Sequence, residues 1–397
     1  MMFFTLAGIL ILIVTLPGTI ELLLLTVGAI VGKFTTARYP NQETPTTSLL
    51  KLGVVIPAHN EAGGIAACVK SVLACQAAGV DLQVVVIADN CTDMTAQLAK
   101  EAGARVIVRM DQANRGKGFA LDVAFGRLLR EGIEAFVVID ADTEVEPNFI
   151  TEMAHAFQQG ADAVQCRYLV NNAQFTFRTR LMNVALLAFN VLRPLGRNAI
   201  GCSAGIFGNG FGLSATTLCE VPYSARSVVE DLEYHLKLVK AGKQVRFLNS
   251  TTVRAEMPAG GRAAQTQRSR WEGGRIRMML DFAPSLIRDI ARGERRLIEP
   301  LLDLLLLPLA FHVVLLASLM LVPNPFLKIY AASSLALVLF HVLSAVWVGE
   351  GTKNDVLALL GAPLYILWKM TMVRSVVRSS RKKAEWVRTE RAAPNQS

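Results

Sequence analysis

Charge is what this sequence has least of: Asp, Glu, Lys and Arg make up 18% of its 397 residues, against 52% hydrophobic ones, and the apolar excess collects at the two ends. That argues against a chain soluble throughout, and for a soluble centre between membrane segments. The six cysteines, Cys68, Cys75, Cys91, Cys166, Cys202 and Cys219, lack metal-ligand spacing. They read as small buried hydrophobes, kept reduced in a cytosolic domain. No G-x-x-x-x-G-K-S/T run occurs, which excludes a Walker-type phosphate loop. No internal repeat is apparent, and the short polar C-terminus is the sole biased tract.

The apolar runs come first. Residues 1–32 are nearly uninterrupted, broken by Pro17, Gly18 and Glu21, and exceed the ~20 residues that a spanning helix needs. With no basic stretch before them and no clear small-residue cleavage site after, they read as a retained anchor rather than a signal peptide. Lys33 and Arg38 follow, so the positive-inside rule puts the centre in the cytoplasm, at the cell inner membrane. Residues 297–322, 326–348 and 356–373 are apolar again, and a basic tail follows, 379–397, with Arg381, Lys382 and Lys383. A hairpin of two spans, with the third stretch interfacial or re-entrant, keeps that tail inside, and 297–378 is expected to be the second membrane region. Much of the net charge of +9 lies in Arg288–Arg296 and the tail, beside these segments. It reads as attraction to anionic membrane lipids rather than to nucleic acid, with 276–296 an amphipathic interfacial segment.

Between the ends, short β-branched runs alternate with helical patterns. Strands are expected at 53–56, 82–88, 105–108, 135–139 and 163–166, with helices between them at 64–75, 92–102, 116–131 and 147–159. This is an α/β domain, 50–275, with a largely parallel sheet, and ligands in such sheets bind beyond the carboxyl ends of the strands. Polar residues collect there: Pro57, His59, Asn60 and Glu61 after the first strand, Asp89 to Asp93 after the second, and Asp140 and Asp142 after the fourth.

Asp140 and Asp142 form a D-x-D whose hard oxygens suit Mg2+ or Mn2+ bridging a diphosphate; a turn or helix cap is the plainer reading. Asp89 is placed to accept from a nucleobase or ribose, while Asp93 reads as a cap of the next helix. Asn114 to Gly118 sets Arg115 and Lys117 in a glycine-rich turn before a helix, a combination that suits a phosphate or an ordinary solvated loop. Ser227 and Glu230 have capping-box spacing, which leaves Asp231 on the first helical turn as the candidate base for a hydroxyl proton. In Q-x-x-R-W, residues 267–271, Gln267 and Arg270 share a helix face. Trp271 can stack on a sugar, or sit at lipid headgroups with the arginines. Asn209, in the turn Gly208 to Gly210, is a candidate contact to a sugar ring.

Taken in order, Asp89, Asp142, Asp231 and Gln267 to Trp271 resemble the D, D, D, Q-x-x-R-W pattern of membrane-bound family-2 glycosyltransferases, which include cellulose, hyaluronan, chitin and poly-N-acetylglucosamine synthases. The resemblance covers residues 54–271 and rests on order and spacing. It implies a GT-A fold, Rossmann-like and nucleotide-sugar-binding, flanked by transmembrane helices. It further implies a nucleotide-sugar donor, usually a UDP-sugar, and inversion at the anomeric carbon with growth of a β-linked exopolysaccharide. By the same resemblance Pro57, Asn60, Glu61, Asp89 and Asp140 serve the donor, Asp140 and Asp142 hold Mg2+ or Mn2+, and Asp231, with Glu230, is catalytic. Gln267 and Arg270 would hold the diphosphate and Trp271 the acceptor. Lys117 is added as a donor ligand from its loop chemistry.

The chain has fewer apolar segments than a typical polymer-exporting synthase, so a partner subunit for export is expected. Q-x-x-R-W also occurs in ceramide glucosyltransferase-like relatives, which leaves single-sugar transfer to a lipid acceptor as the alternative. Glu299 and Asp303, one turn apart at the start of a membrane helix, either line an acceptor entrance or sit at headgroup depth beside Arg295 and Arg296. A catalytically inactive membrane scaffold would need none of the three aspartates.

Overall fold

The computed structural model describes residues 2–34, 49–174, 176–227, 229–256 and 261–380. They form two compact units, one of 49–172 with 203–256, the other of 2–34, 173–202 and 261–380.

The first unit is built on strands β1 (Leu50–Ala58), β2 (Val80–Asp89), β3 (Arg105–Arg109), β4 (Ala135–Val138), β5 (Thr143–Val145), β6 (Ala163–Val170), β7 (Phe211–Ser214) and β8 (Val245–Ala255). They pair in one sheet in the order β3-β2-β1-β4-β7-β6-β8-β5. The strands β1, β2 and β4 are continuous apolar runs because both sheet faces are covered. On one face Val54, Ile56, Val86, Val137 and Ile139 meet Ile65, Val69 and Val72 of the helix Ile65–Leu73, and Phe149 and Met153 of the helix Phe149–Gln158. On the other, Phe136 packs edge-on against Phe125 of the helix Lys117–Arg130, with ring centroids 5.4 Å apart. Tyr223 continues this layer, 5.5 Å from Phe125 and 4.5 Å from Tyr234.

The sheet is mixed rather than largely parallel. β3, β2, β1 and β4 run parallel, and so do β6 and β8, but β7 is antiparallel to both β4 and β6, and β5 is antiparallel to β8. β7 and β5 have four and three residues, too few for a period-two signal. β7 nonetheless has a consequence for chemistry. Its register, Val138↔Phe211, sets the turn that precedes it, Gly208 to Gly210, beside the carboxyl end of β4, where Asp140 begins.

In the second unit, the helices Phe4–Phe34 and Pro325–Val348 are long and apolar enough to cross a membrane. Two further stretches are bent helix pairs: Arg295–Leu305 with Leu309–Leu319, at 77°, and Lys353–Met370 with Val373–Ser379, at 59°. The expected span at 297–322 is therefore broken, and Pro308, which has no amide to donate, stands as the N-cap of its second half. The 276–296 segment is continuous with the Q-x-x-R-W helix, Gly261–Ala291. Arg38 and the tail residues Arg381, Lys382 and Lys383 lie outside the described residues.

Glu299 and Asp303 are buried and paired with arginines of the same unit. Arg197 donates to both carboxylates, Arg193 to Asp303, and Arg275 to the Asp303 carbonyl. Glu21, fully buried on the first helix, lies 3.6 Å from Arg197 Nη2. Buried charge survives only when it is paired, and three arginines meet three acids here. Polar pairs continue the seam: Thr15 and Thr19 hydroxyls lie 3.0 and 3.1 Å from the Tyr330 hydroxyl, and Thr26 Oγ1 lies 2.7 Å from His341 Nδ1.

Candidate functional site

The carboxyl ends of β3, β2, β1 and β4 form one edge of the first unit, and their loops hold one another by polar contacts. Asn60 adopts the left-handed region at φ 55°, and its side-chain oxygen accepts from the Thr92 amide at 2.7 Å. The Glu61 amide donates to Thr95 Oγ1 at 2.8 Å. Asp93 Oδ1 accepts from the Thr95 amide at 3.0 Å and Oδ2 from the Ala62 amide at 3.2 Å, so Asp93 works as a local clasp. Pro57 pairs with Ile87 in the β1–β2 register.

Asp89 closes β2 and is buried. Its Oδ1 is 2.5 Å from Arg109 Nη1, on the residue that faces it in β3, and 3.0 Å from Asn90 Nδ2. His59 Nδ1 lies 2.7 Å from the Asp89 carbonyl. Arg109 also reaches Asp111 and the Asn114 carbonyl, at 2.9 and 2.7 Å, so one guanidinium orients Asp89 and the start of the glycine-rich turn. Arg109 escapes a sequence reading because its role depends on register across a sheet.

The second group centres on Lys117, the first residue of its helix. Its ammonium donates to Asp140 Oδ1 and to the Gly208 carbonyl, each at 2.5 Å. Gly208 has φ 77°, and a Cβ there would stand 3.2 Å from Asp231 Oδ2 and 3.8 Å from Lys117 Nζ; Asp231 thus faces the same turn. Asn209 is fully buried. Its Oδ1 accepts from the Asp140 amide at 3.0 Å and its Nδ2 donates to Thr143 Oγ1 at 2.8 Å, clipping both ends of the D-x-D. Gln165, fully buried, ties this turn from behind: its Nε2 donates to the Asn209 carbonyl at 2.8 Å, and its Oε1 accepts from the Phe207 amide at 3.0 Å. Asp142 lies against the loop after β1, with its Cα 3.3 Å from where a Gly64 Cβ would be.

The helix carrying Asp231 runs Glu230–Lys240, so Ser227 and Glu230 do not make a capping box. Glu233, on the first turn, accepts with its Oε2 from the Arg226 and Ser227 amides ahead of the helix, at 3.1 and 3.0 Å, and no side chain caps the helix. Glu230 is thereby released to stand with Asp231. Arg226 fastens the segment to the Lys117 helix, donating to the Gly118 carbonyl at 3.0 Å and to Asp122 at 2.7 Å. The approach is close enough that a Cβ on Gly118 would lie 2.3 Å from the Ala225 carbonyl oxygen.

These proximities set the electrostatics. Burial, reinforced by the Asp231 charge, pushes the Glu230 carboxyl up to about 7. Burial also raises Asp231, against the pull of the Leu232 amide and Lys117. For Lys117, burial opposes the charge but Asp140, Glu230 and Asp231 outweigh it, so its ammonium is held above its usual range. Burial is the first cause of the rise at both Glu230 and Asp231, and the carboxyl groups that act on Lys117 make this part of the unit rich in acid groups.

Among the described residues no group of three or more His, Cys, Asp or Glu could hold a metal ion. Asp140 and Asp142 provide two carboxylates, a hard oxygen set that fits Mg2+ or Mn2+ only when phosphate or water oxygens complete the shell.

Gln267, Arg270 and Trp271 lie on Gly261–Ala291, in the other unit. Arg268 and Glu272 of that helix are engaged with the last bent pair: Arg268 bonds the Tyr365 hydroxyl and lies 5.4 Å from the Trp368 ring, and Glu272 takes Lys369 at 2.5 Å. Ser269 meets Ser375 at 2.9 Å. At i, i+3 and i+4, Gln267, Arg270 and Trp271 share an adjoining face, partly exposed within the described residues.

The chain is 26% identical over 243 residues to the probable glycosyltransferase YdaM of Bacillus subtilis, covering 59% of this chain and 57% of the relative. It is 27% identical over 164 residues to a dolichol-phosphate mannosyltransferase of Pyrococcus furiosus, covering 40% and 46%. The chain thus spans about half the length of these curated relatives. Among solved structures, the mannosyltransferase PcManGT of Pyrobaculum calidifontis, in complex with GDP-mannose and Mn2+, aligns over 90% of this chain and 99% of its own at 16% identity, with a TM-score of 0.48. Residues 53–214 match glycosyl transferase family 2, and residues 135–349, more than half the chain, match glycosyl transferase family group 2: the chain belongs to the family-2 glycosyltransferases.

Proposed function

We propose that the chain transfers a sugar from a UDP-sugar to a growing β-linked exopolysaccharide, with inversion, at the cytosolic face of the cell inner membrane, which it crosses more than once. The convergence of Lys117, Asp140, Glu230 and Asp231 on the Gly208 turn carries this reading. Asp231 takes the proton of the acceptor hydroxyl; that oxygen forms a bond to the anomeric carbon on the face opposite the diphosphate, and the bond to the diphosphate breaks with its electron pair. Burial keeps the base at a raised pKa, with Glu230 next to it in the chain. Asp89, held by Arg109, serves the uridine, with Pro57, Asn60 and Glu61 lining the donor side. Asp140 and Asp142 would hold Mg2+ or Mn2+, which supplies charge neutralisation to the leaving diphosphate. Gln267 and Arg270 hold that diphosphate, and Trp271 meets the acceptor. An export partner subunit completes translocation.

A second reading is transfer of one sugar to a lipid acceptor, and the similarity to a dolichol-phosphate mannosyltransferase favours it. Purified chain in nanodiscs, supplied with a panel of UDP-sugars and Mg2+ or Mn2+, separates the two. UDP release from one donor with a polymeric product supports the synthase; release that requires added lipid and yields a single-sugar product supports the second reading. Asp142→Asn is expected to weaken metal-dependent UDP binding, read by titration calorimetry. UDP affinity that does not respond to chelation in the unsubstituted chain would defeat the metal assignment.

A further inference from the structure

Lys117 is an odd residue to find where it is. It opens the helix Lys117–Arg130, and a cation at a helix N-terminus faces the positive end of the helix dipole. The amides there are left to other partners, since Gly116 caps the helix without a side-chain bond. What holds the ammonium is the other side of the pocket: Asp140 Oδ1 and the Gly208 carbonyl, each at 2.5 Å, with Glu230 and Asp231 adding their charge. Asp140 is one of the two carboxylates assigned to the divalent cation. A divalent ion bound at that carboxylate would stand close to the ammonium and repel it.

We propose that Lys117 is the built-in counter-ion of this carboxylate site: it pairs with Asp140 until a divalent cation displaces it, and the displaced ammonium then binds the donor phosphates. This rests on the reading of Asp140 and Asp142 as metal carboxylates. Three features support the exchange. Asp140, Glu230 and Asp231 all bear on the Lys117 ammonium, so the site offers a cation more than one acidic partner. The Lys117 side chain is half-buried and flexible, not locked in an apolar core. A released ammonium stays at the helix N-terminus, whose amides suit a phosphate. Binding of the cation and of the diphosphate is then linked through one side chain: the cation weakens the Lys117–Asp140 pair, and the diphosphate gives the ammonium a new partner.

The test is binding, not turnover. Mn2+ is titrated by electron paramagnetic resonance into the full chain in detergent, without nucleotide, for the unsubstituted chain, Lys117→Met, Lys117→Gln, Lys117→Arg and Asp142→Asn. Lys117→Met and Lys117→Gln are expected to bind Mn2+ about tenfold more tightly, and UDP at saturating Mn2+ about tenfold more weakly. Lys117→Arg keeps the competing charge and stays close to the unsubstituted chain. Mn2+ affinity that is unchanged or lower in both uncharged variants overturns the proposal. If those variants do not fold, the unsubstituted chain still decides. Mn2+ alone should increase acetylation of Lys117 by a lysine-reactive ester, scored by mass spectrometry, and UDP with Mn2+ should suppress it; labelling indifferent to Mn2+ is the overturning result. Should Asp142→Asn bind Mn2+ normally in the presence of UDP, the metal reading itself fails. Should it lose Mn2+ while the Lys117 variants show no gain, only the exchange fails.

Discussion

Two clusters of charge lie in this chain, and they differ in balance. In the membrane-side unit, Arg193, Arg197 and Arg275 meet Glu21, Glu299 and Asp303, and the side chains that Arg197 pairs with are at most 10% exposed. In the α/β unit, Lys117 stands against Asp140, Glu230 and Asp231, with Lys117 and Asp140 exposed at 23% and 36%. A cluster of three arginines and three acids, sealed from water, acts as a clasp between helices, although both Glu21 carboxyl oxygens accept no hydrogen bond in it. An unbalanced and partly open one still attracts cations and protons, which is the condition that phosphate chemistry requires. In the sequence both groups are simply acids next to apolar runs; counting their partners in space separates them.

The largest expected effect tests the open cluster. Asp231→Asn keeps size and the possibility of accepting from the Leu232 amide, which Asp231 Oδ1 does at 2.8 Å. Loss of a general base is worth about 100- to 10,000-fold in turnover. UDP release should fall by that amount while UDP binding, by calorimetry, stays near normal. Turnover that survives would move the base elsewhere, and the unbalanced cluster would lose its catalytic meaning.

The sealed cluster should respond in stability, not chemistry. Arg197→Met strips Glu21, Glu299 and Asp303 of a shared partner. Removing one side of a buried pair costs about 3–5 kcal/mol, while apolar replacement of both sides is often neutral. Thermal unfolding in detergent should therefore show a deep loss for Arg197→Met and partial recovery when Glu299→Met is added. Equal losses in the single and double variants would mean that the cluster is not the clasp described.

A smaller effect, on pH, exploits the imbalance directly. Glu230 is lifted from 4.5 to about 7, so its neutral form stabilises the fold at acid pH, and that contribution fades as pH rises through about 7. Glu230 and Asp231 titrate as a pair. Activity should rise with pH along a limb near neutrality as the pair loses its proton. Glu230→Gln removes the member of the pair that is lifted to about 7 and leaves Asp231, raised by burial, to titrate alone, so the limb should move to lower pH. A limb that stays in place in this variant would show that Asp231 is insulated from Glu230.

How much of this was legible beforehand follows from what each feature depends on. The parallel strands β1 to β4 and their covering helices are local patterns, and the chain announces them. β5 and β7 are too short to carry a period, and β7 decides where Gly208 and Asn209 lie. Asp140, Asp231 and Lys117 could be picked out by type and position. Their meeting at one turn could not, because it is set by the register of β7 on β4 and by the Arg226 contacts to the Lys117 helix. Ser227 and Glu230 have the spacing of a capping box, but the helix starts at Glu230, and Glu233 instead holds the Ser227 amide ahead of it. The pairing of Glu299 and Asp303 with Arg193 and Arg197 spans about a hundred residues, which no local pattern reports.

The smallest expected effect concerns Asn209, which the sequence suggested as a sugar contact. Both ends of its amide are occupied by the D-x-D segment, the Asp140 amide at 3.0 Å and the Thr143 hydroxyl at 2.8 Å. A positioning residue predicts a different signature from a sugar contact. Asn209→Ala leaves a buried amide and a hydroxyl unpartnered, at about 1–3 kcal/mol, and lets Asp140 drift from its place beside Lys117. The Mn2+ dependence of UDP binding should weaken by about tenfold, equally for every donor that the enzyme accepts, since a factor of ten corresponds to about 1.4 kcal/mol. A sugar contact would instead change the preference among donors and leave UDP itself untouched. Measuring UDP and two UDP-sugars against the variant separates the two. Because Asn209 carries no charge, its loss alters the shape of the open cluster while leaving its charge imbalance intact, so the effect should stay well below that of Asp231→Asn.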